Sequence, residues 1–390
     1  MYLTAFQIID PPFAIEQSRS LDWLANAYVR YQKVQTHSQS EYLKLLKRVG
    51  CAPAQVAKRF HYLPDFQEPV ENAQIFKSAE ASGTTARQSF FQETAQQIFE
   101  SLYEKRSMPN QLIHVSCTGY TSPSAAQLTA ARLSPECVVT HSYHMGCYGA
   151  FPALRMASGF LSSPQLSSEV RTDEPREISS DMPSDMANDM PNDMSVDIVH
   201  TEMCTLQMKP SDPSLEQMVI QSLFADGMAA YRAVGRRPAG PSLEILKLGE
   251  FLIPNSAAAM SWSIGDEAMS MTLSKDVPTL VASALREILS RWERQTGFEI
   301  LKLLPKAIVA VHPGGPKIID AVRELLELNE TQVRHSRAVL YERGNMSSAT
   351  VPHIWQKILQ DETIKSGTPV LSLAFGPGLT VCLSWMHLCR

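Results

Sequence analysis

Residues 141–150 read His-Ser-Tyr-His-Met-Gly-Cys-Tyr-Gly-Ala and run into the apolar stretch Phe151-Pro-Ala-Leu-Arg-Met-Ala-Ser-Gly-Phe-Leu161. The glycines mark a turn and the apolar run marks a buried helix, so Cys147 is expected at a helix N-terminus. Val138-Val-Thr-His141, just upstream, is a strand candidate. The positive end of a helix and a nearby cation both lower a thiol pKa, and the thiolate is the reactive form of cysteine. Two further turns carry polar residues: His312 in Val309-Ala-Val-His-Pro-Gly-Gly-Pro316, and Asn345 in Tyr341-Glu-Arg-Gly-Asn-Met-Ser-Ser-Ala349. A cysteine, a histidine and an asparagine in glycine-marked turns suggest covalent acyl chemistry.

Working outward, strand and helix patterns alternate. Met1 to Asp10 reads as a first strand, residues 15–60 as helical, and residues 86–106 as an amphipathic helix. Gln111-Leu-Ile-His-Val-Ser116 is a strand, followed by a helix from Ser124 to Leu133. Later, helices are expected over 278–296, 316–328 and 349–360, and strands over 307–311, 370–375 and 379–385. The alternation implies an α/β layered fold. Its texture repeats, giving two similar halves, residues 1–235 with the cysteine and residues 236–390 with the histidine and asparagine. Residues 162–197 break the pattern with Asp181-Met-Pro-Ser, Asp185-Met-Ala-Asn, Asp189-Met-Pro-Asn and Asp193-Met-Ser-Val, then Asp197. Proline and Asp-Met alternation suit a solvated, flexible insertion. Methionine thioethers favour Cu(I), but no histidine or cysteine lies in the repeat to support a soft-metal site.

The 390 residues are 44% hydrophobic and 19% charged, which is enough for two cores. A net charge of -5 gives no nucleic-acid surface. No apolar run approaches the ~20 residues of a membrane span, and the N-terminus lacks signal-peptide features. Cysteines stand at 51, 117, 137, 147, 204, 382 and 389, an odd number without CxxC spacing. A disulfide framework or zinc site is not expected, a reducing cytoplasm is, and most of the cysteines are expected as small core residues.

With Cys147 as nucleophile, a thioester is the natural intermediate. His312 could pair with the thiolate, and His312 with Asn345 could place two donors on a carbonyl oxygen becoming an enolate. That would suit decarboxylation of a β-carboxy thioester, the enolate then attacking the acyl-cysteine. Each residue also has a plainer role: Asn345 as a helix cap, His312 as a turn residue, Cys147 as core. The same residue types in this order are also those of papain-like proteases.

Three motifs decide among these. Met145-Gly-Cys-Tyr-Gly-Ala150 with Leu154-Arg155, Val311-His-Pro-Gly-Gly-Pro316 followed by Gly344-Asn-Met-Ser-Ser348, and Phe375-Gly-Pro-Gly-Leu379 resemble the nucleophile turn, the histidine and asparagine motifs and the C-terminal glycine loop of type III polyketide synthases. These form the chalcone-synthase superfamily within the thiolase fold. Gln221-Ser-Leu-Phe-Ala-Asp-Gly227, Lys275-Asp-Val-Pro278 and Val115-Ser-Cys-Thr-Gly119 fill the gaps, so the likeness spans about residues 40–390 apart from 162–197. It sets the papain-like reading aside.

The resemblance implies a thiolase-like αβαβα fold and a homodimeric acyltransferase without a cofactor. Cys147 would carry the acyl group, and His312 and Asn345 would promote malonyl decarboxylation. Phe224 falls on a gatekeeper phenylalanine, and Met271 falls where plant enzymes have a second one. Flexible methionine suits irregular apolar chains, which points to a fatty acyl starter and an alkylpyrone or alkylresorcinol product. Cys117 and Cys204 fall on cavity-wall positions in a bacterial-type pattern, and Gly376, Pro377 and Gly378 shape the cavity. At the entrance only Lys58 and Arg59 continue the family's basic run. Acyl-CoA and malonyl-CoA would therefore bind with fewer ion pairs, or an acyl carrier protein would deliver the acyl group. The alternative is a ketosynthase performing one condensation between carrier-bound β-ketoacyl chains.

Overall fold

Strand β1 (Tyr2–Gln7) lies inside the principal sheet and joins its two parts. The computed structural model describes residues 1–31, 37–77, 83–162 and 194–390. After β1 come β2 (Phe13–Glu16), α1 (Gln17–Tyr31), α2 (Gln39–Val49), β3 (Lys58–His61), α3 (Thr84–Tyr103), β4 (Gln111–Ser116), α4 (Ala125–Leu133), β5 (Val138–Tyr143) and α5 (Ala150–Ser162). Then follow β6 (Ser195–Met203), α6 (Leu215–Leu223), β7 (Asp226–Val234), β8 (Ser242–Leu252), and the hairpin β9 (Met260–Ile264) and β10 (Met269–Leu273). The chain ends with α7 (Val277–Thr296), α8 (Ile300–Leu303), β11 (Ile308–Val311), α9 (Pro316–Leu325), α10 (Glu330–Arg343), α11 (Thr350–Gln360), β12 (Pro369–Gly376) and β13 (Thr380–Cys389).

The sheet order is β11-β12-β13-β8-β1-β7-β6-β4-β5. β4 pairs in parallel with β5 and β6, and β11 with β12; the other neighbours are antiparallel. Every strand from residue 242 onward in this sheet lies on one side of β1, and every earlier one on the other.

Burial explains the layers. Helices α5 and α11 are apolar on most faces, and α11 and the first half of α5 are almost wholly enclosed, while Arg155, Gly159 and Ser162 of α5 reach solvent. They form one core with Ile113, Val115, Ile198 and Tyr231 from one end of the sheet and Ile308, Val370, Ala374 and Met386 from the other. Phe151 meets Trp355 edge-to-face at 6.1 Å, and the Trp355 indole N–H donates to Ser372 at 2.8 Å. Leu112 turns its side chain to the outer core of α1–α4, while Leu371 and Leu373 turn theirs to the outer core of α7–α10. Outer helices, sheet, central helices, sheet and outer helices stack as five layers, the αβαβα order implied by the sequence.

Two expectations are corrected. The helical reading of residues 15–60 fails at its end, where Lys58-Arg-Phe-His61 alternates half-buried and buried residues and pairs with β2 as a strand. The insertion reading of 162–197 fails at both edges. Ser162 closes α5, and Asp197 sits fully buried in β6, where Arg106 and Arg232 each donate to its carboxylate at 2.7–3.1 Å. A charge-paired aspartate needs that strand, whatever repeat precedes it. The Asp-Met repeat of residues 181–193 lies outside the described residues.

Candidate active site

Cys147 lies in a tight turn, Gly146–Tyr148, between β5 and α5. Gly146 adopts φ +67°, open to glycine at little cost. The close fit comes from the other side of the turn: a Cβ at Gly376 would lie 2.3 Å from the Tyr148 ring, and one at Gly146 would lie 2.8 Å from Pro377. The glycine loop after β12 is thus clasped against the cysteine turn. Pro377 lines the cavity with Cys147, whereas Gly376 permits the close approach and neither Gly376 nor Gly378 is among the described lining residues.

Asn345 begins the turn between α10 and α11. Its Oδ1 accepts from the Ser347 amide at 2.9 Å and from the Thr350 hydroxyl at 3.3 Å. The plain cap role and the functional role therefore coexist. The oxygen is committed to the turn, which leaves the buried Nδ2 to the Cys147 thiol. The backbone joins this turn to the Phe224 segment: Asn345 N–H donates to Leu223 and Ala225 N–H donates to Asn345, at 3.0 and 2.8 Å. His312 follows β11, its amide fixed to Leu373 at 2.8 Å. Its ring is 1% exposed, and neither nitrogen has a hydrogen-bond partner among the described residues.

The electrostatics correct the reading of Cys147. Burial pushes its thiol up to about 12, against hydrogen bonds to Ser347 and Asn345 that pull down. The negative Glu202 nearby adds to the rise. The helix proper begins only at Ala150, and the partners of the thiol are neutral, so the expected lowering does not appear in the resting site. Burial likewise pushes His312 down to about 3. Thiol and imidazole are both neutral at rest, not a preformed ion pair.

A cavity with about 630 Å³ of empty space, partly open to solvent, is lined by Cys147, Cys117, Cys204, Phe224, Met271 and Pro377 among others. His312 and Asn345 are not among the described residues that line it. Cys117 Sγ lies 2.8 Å from the Ser347 hydroxyl, and Glu202 beyond it accepts from the Cys117 amide and the Thr118 hydroxyl at 3.1 and 2.8 Å. Burial and the adjacent Glu202 raise the Cys117 thiol well above its ordinary range, which disfavours it as a rival nucleophile.

The entrance assignment of Arg59 is overturned. Its guanidinium is 2% exposed and donates to Gln17 Oε1 at 2.9 Å, to the Gln221 and Phe224 carbonyls at 2.7 Å each, and to the Ser20 hydroxyl. A cation so enclosed cannot meet a phosphate. Lys58 lies over the Phe60 ring at 5.1 Å and does not line the cavity. The cation that does line it, Lys209, was missed, as was the hairpin wall of Met260, Trp262 and Met269. Ser347 could have been found from its place two residues after Asn345; a lone lysine in a loop gives no such signal.

Residues 245–388 match the model of the C-terminal domain of chalcone and stilbene synthases. This part of the chain is similar to the C-terminal domain of that family. The enzymes of that family are acyltransferases that perform decarboxylative condensation. Solved structures extend the likeness to the whole fold of this chalcone synthase-like protein. PKS-I from the brown alga Ectocarpus siliculosus is 19% identical with a TM-score of 0.79, covering 99% of this chain and 98% of its own. The C-terminal type III polyketide synthase domain of Steely1, a type I/III hybrid from Dictyostelium, is 20% identical with a TM-score of 0.78, covering 100% and 99%. The 1,3,6,8-tetrahydroxynaphthalene synthase of Streptomyces coelicolor is 21% identical with a TM-score of 0.75, covering 100% of both chains. Among the described residues, no helix is long and apolar enough to cross a membrane.

Proposed function

We propose that the chain is a type III polyketide synthase that loads an acyl thioester onto Cys147 and extends it with malonyl units. The observation that carries this reading is a buried Cys147 thiol with Asn345 and Ser347 as its hydrogen-bond partners, together with a buried, neutral His312 whose ring nitrogens have no partner among the described residues. On loading, the Cys147 proton passes to His312 and the sulfur displaces the donor thiol, forming the acyl-cysteine. On extension, loss of carbon dioxide leaves the C–C electron pair on the malonyl α-carbon, delocalised onto the thioester oxygen, where His312 and Asn345 supply donors. That carbon attacks the acyl-cysteine carbonyl, a new C–C bond forms, and the Cys147 thiolate leaves.

Met208, Met260, Met269 and Met271 on the cavity wall favour a flexible apolar starter, and so a fatty acyl group released as an alkylpyrone or alkylresorcinol. Coenzyme A thioesters are the substrates, with an acyl carrier protein as the other donor to test, and the chemistry needs no cofactor. The chain works as two halves, 1–235 and 236–390, meeting at the central helices. It acts as a homodimer: β5 is an unpaired edge, and Val138 on it, with Tyr120, Leu128 and Leu133 nearby in sequence, leaves apolar surface exposed. Seven free thiols suit a reducing cytoplasm.

Intact-protein mass spectrometry with a fatty acyl thioester tests the assignment. Cys147→Ala abolishes the acyl mass increment. Asn345→Ala keeps the increment but loses carbon dioxide release from malonyl thioester, and His312→Ala slows loading and loses carbon dioxide release. Product formation by Cys147→Ala at the normal rate overturns the reading.

A further inference from the structure

We propose that Lys209 is the anchor for the carboxylate of the malonyl thioester, a positioning role at the same cavity that rests on the function proposed above. Lys209 is the one charged side chain among the described lining residues. It is half-buried, and its Nζ donates to the Ser270 hydroxyl at 2.8 Å. Among the described residues no carboxylate lies within ion-pair distance of it. Its backbone carbonyl is held by Gln221 Nε2 at 2.9 Å. Two residues earlier, Gln207 ties β10 to the Cys117 strand end, with Met269 N–H donating to its Oε1 at 3.0 Å and its Nε2 donating to the Thr118 carbonyl at 2.8 Å.

The rest of the wall is apolar, sulfur-bearing or neutral. A partly desolvated ammonium facing it gains most from an anion that arrives with the substrate. Glu202 sits behind Cys117 and Thr118, its oxygens taken by the Cys117 amide and the Thr118 and Ser348 hydroxyls, and Lys209 lies beside the hairpin with Ser270 and Met271. The malonyl carboxylate therefore finds its attractive partner at Lys209, which leaves its thioester carbonyl toward the donors. The indole nitrogen of Trp262, buried and without a partner among the described residues, offers a further donor on the same wall. The cation stabilises the bound carboxylate before reaction, so its contribution falls on binding rather than on the chemical step.

The experiment compares the unaltered enzyme with Lys209→Met and Lys209→Arg. Probes are malonyl and neutral fatty acyl groups, each as the coenzyme A and as the N-acetylcysteamine thioester. For Lys209→Met, KM for malonyl rises roughly ten- to hundredfold with either thiol carrier, and kcat is not lowered. Acylation of Cys147 by the neutral thioester stays within about twofold, and Lys209→Arg restores malonyl KM. An equal rise for neutral and malonyl thioesters overturns the proposal, because Lys209 then only ties the hairpin. A rise confined to coenzyme A thioesters overturns it in favour of phosphate binding, and so does no change at all. Absence of acyl-enzyme and carbon dioxide release in the unaltered protein would instead sink the proposed function, so the two failures are distinguishable.

Discussion

Replacing Arg59 with alanine separates a structural cation from a substrate-binding one. The guanidinium supplies hydrogen bonds to Gln17, Ser20 and the carbonyls of Gln221 and Phe224, all in the interior. Gln17 in turn donates to the carbonyls of Cys51 and Ser222, at 2.8 and 2.7 Å. The change therefore loosens the end of α6 that carries Phe224, as well as the loop after α2. Hydrogen bonds from a charged donor are worth ~1.5–3 kcal/mol each but do not add. Breaking one partner of a buried charged network costs ~3–5 kcal/mol, which we take for Arg59→Ala. With a urea slope of ~3 kcal/mol per molar, the unfolding midpoint falls by about 1 M or more. The assay is urea unfolding followed by tryptophan fluorescence, together with KM for one acyl group on coenzyme A and on N-acetylcysteamine. The expected result is a lower midpoint and an unchanged ratio of the two KM values. An unchanged midpoint with KM raised for coenzyme A thioesters alone would refute the reasoning and restore Arg59 to the entrance.

Two further outcomes follow from buried charge. Asp197→Asn keeps the volume but removes the charge shared by Arg106 and Arg232, so stability falls by ~3–5 kcal/mol; a urea midpoint equal to that of the parent would return Asp197 to the loop class. Acid unfolding should begin early. Burial pushes His114, His200 and His312 down to about 3, and His61 and His353 down to about 4. Their folded values lie below the unfolded ~6.5, so the unfolded chain binds more protons. This stability is present above ~6.5 and is lost as pH falls toward the folded values, at up to ~1.4 kcal/mol per unit for each group. Circular dichroism against pH reads it, and a transition only below ~pH 3.5 would contradict these neutral imidazoles.

Helix and strand identity was legible wherever local chemistry repeats. Val277–Thr296 and Thr84–Tyr103 follow helical spacing, and Gln111–Ser116 is bounded by turn residues. Residues 58–61 were misread because four residues are too few for a period to separate strand from helix, and pairing with Phe13–Glu16 decided the matter. Asp197 was misread because it continues a repeat in sequence, while its two arginine partners lie 91 and 35 residues away.

The site shows the same division. Turn chemistry around Cys147, His312 and Asn345 is written locally in glycines and short polar residues, so the sequence alone named the candidates and determined the layered fold. Burial and charge environment are not local. The raised thiol, the neutral imidazole, the inward-turned Arg59 and the cavity-lining Lys209 depend on which surfaces meet when α5 and α11 are enclosed between the two parts of the sheet. Only the tertiary structure decided those, because desolvation and pairing energies are properties of neighbours that the chain brings together from hundreds of residues apart.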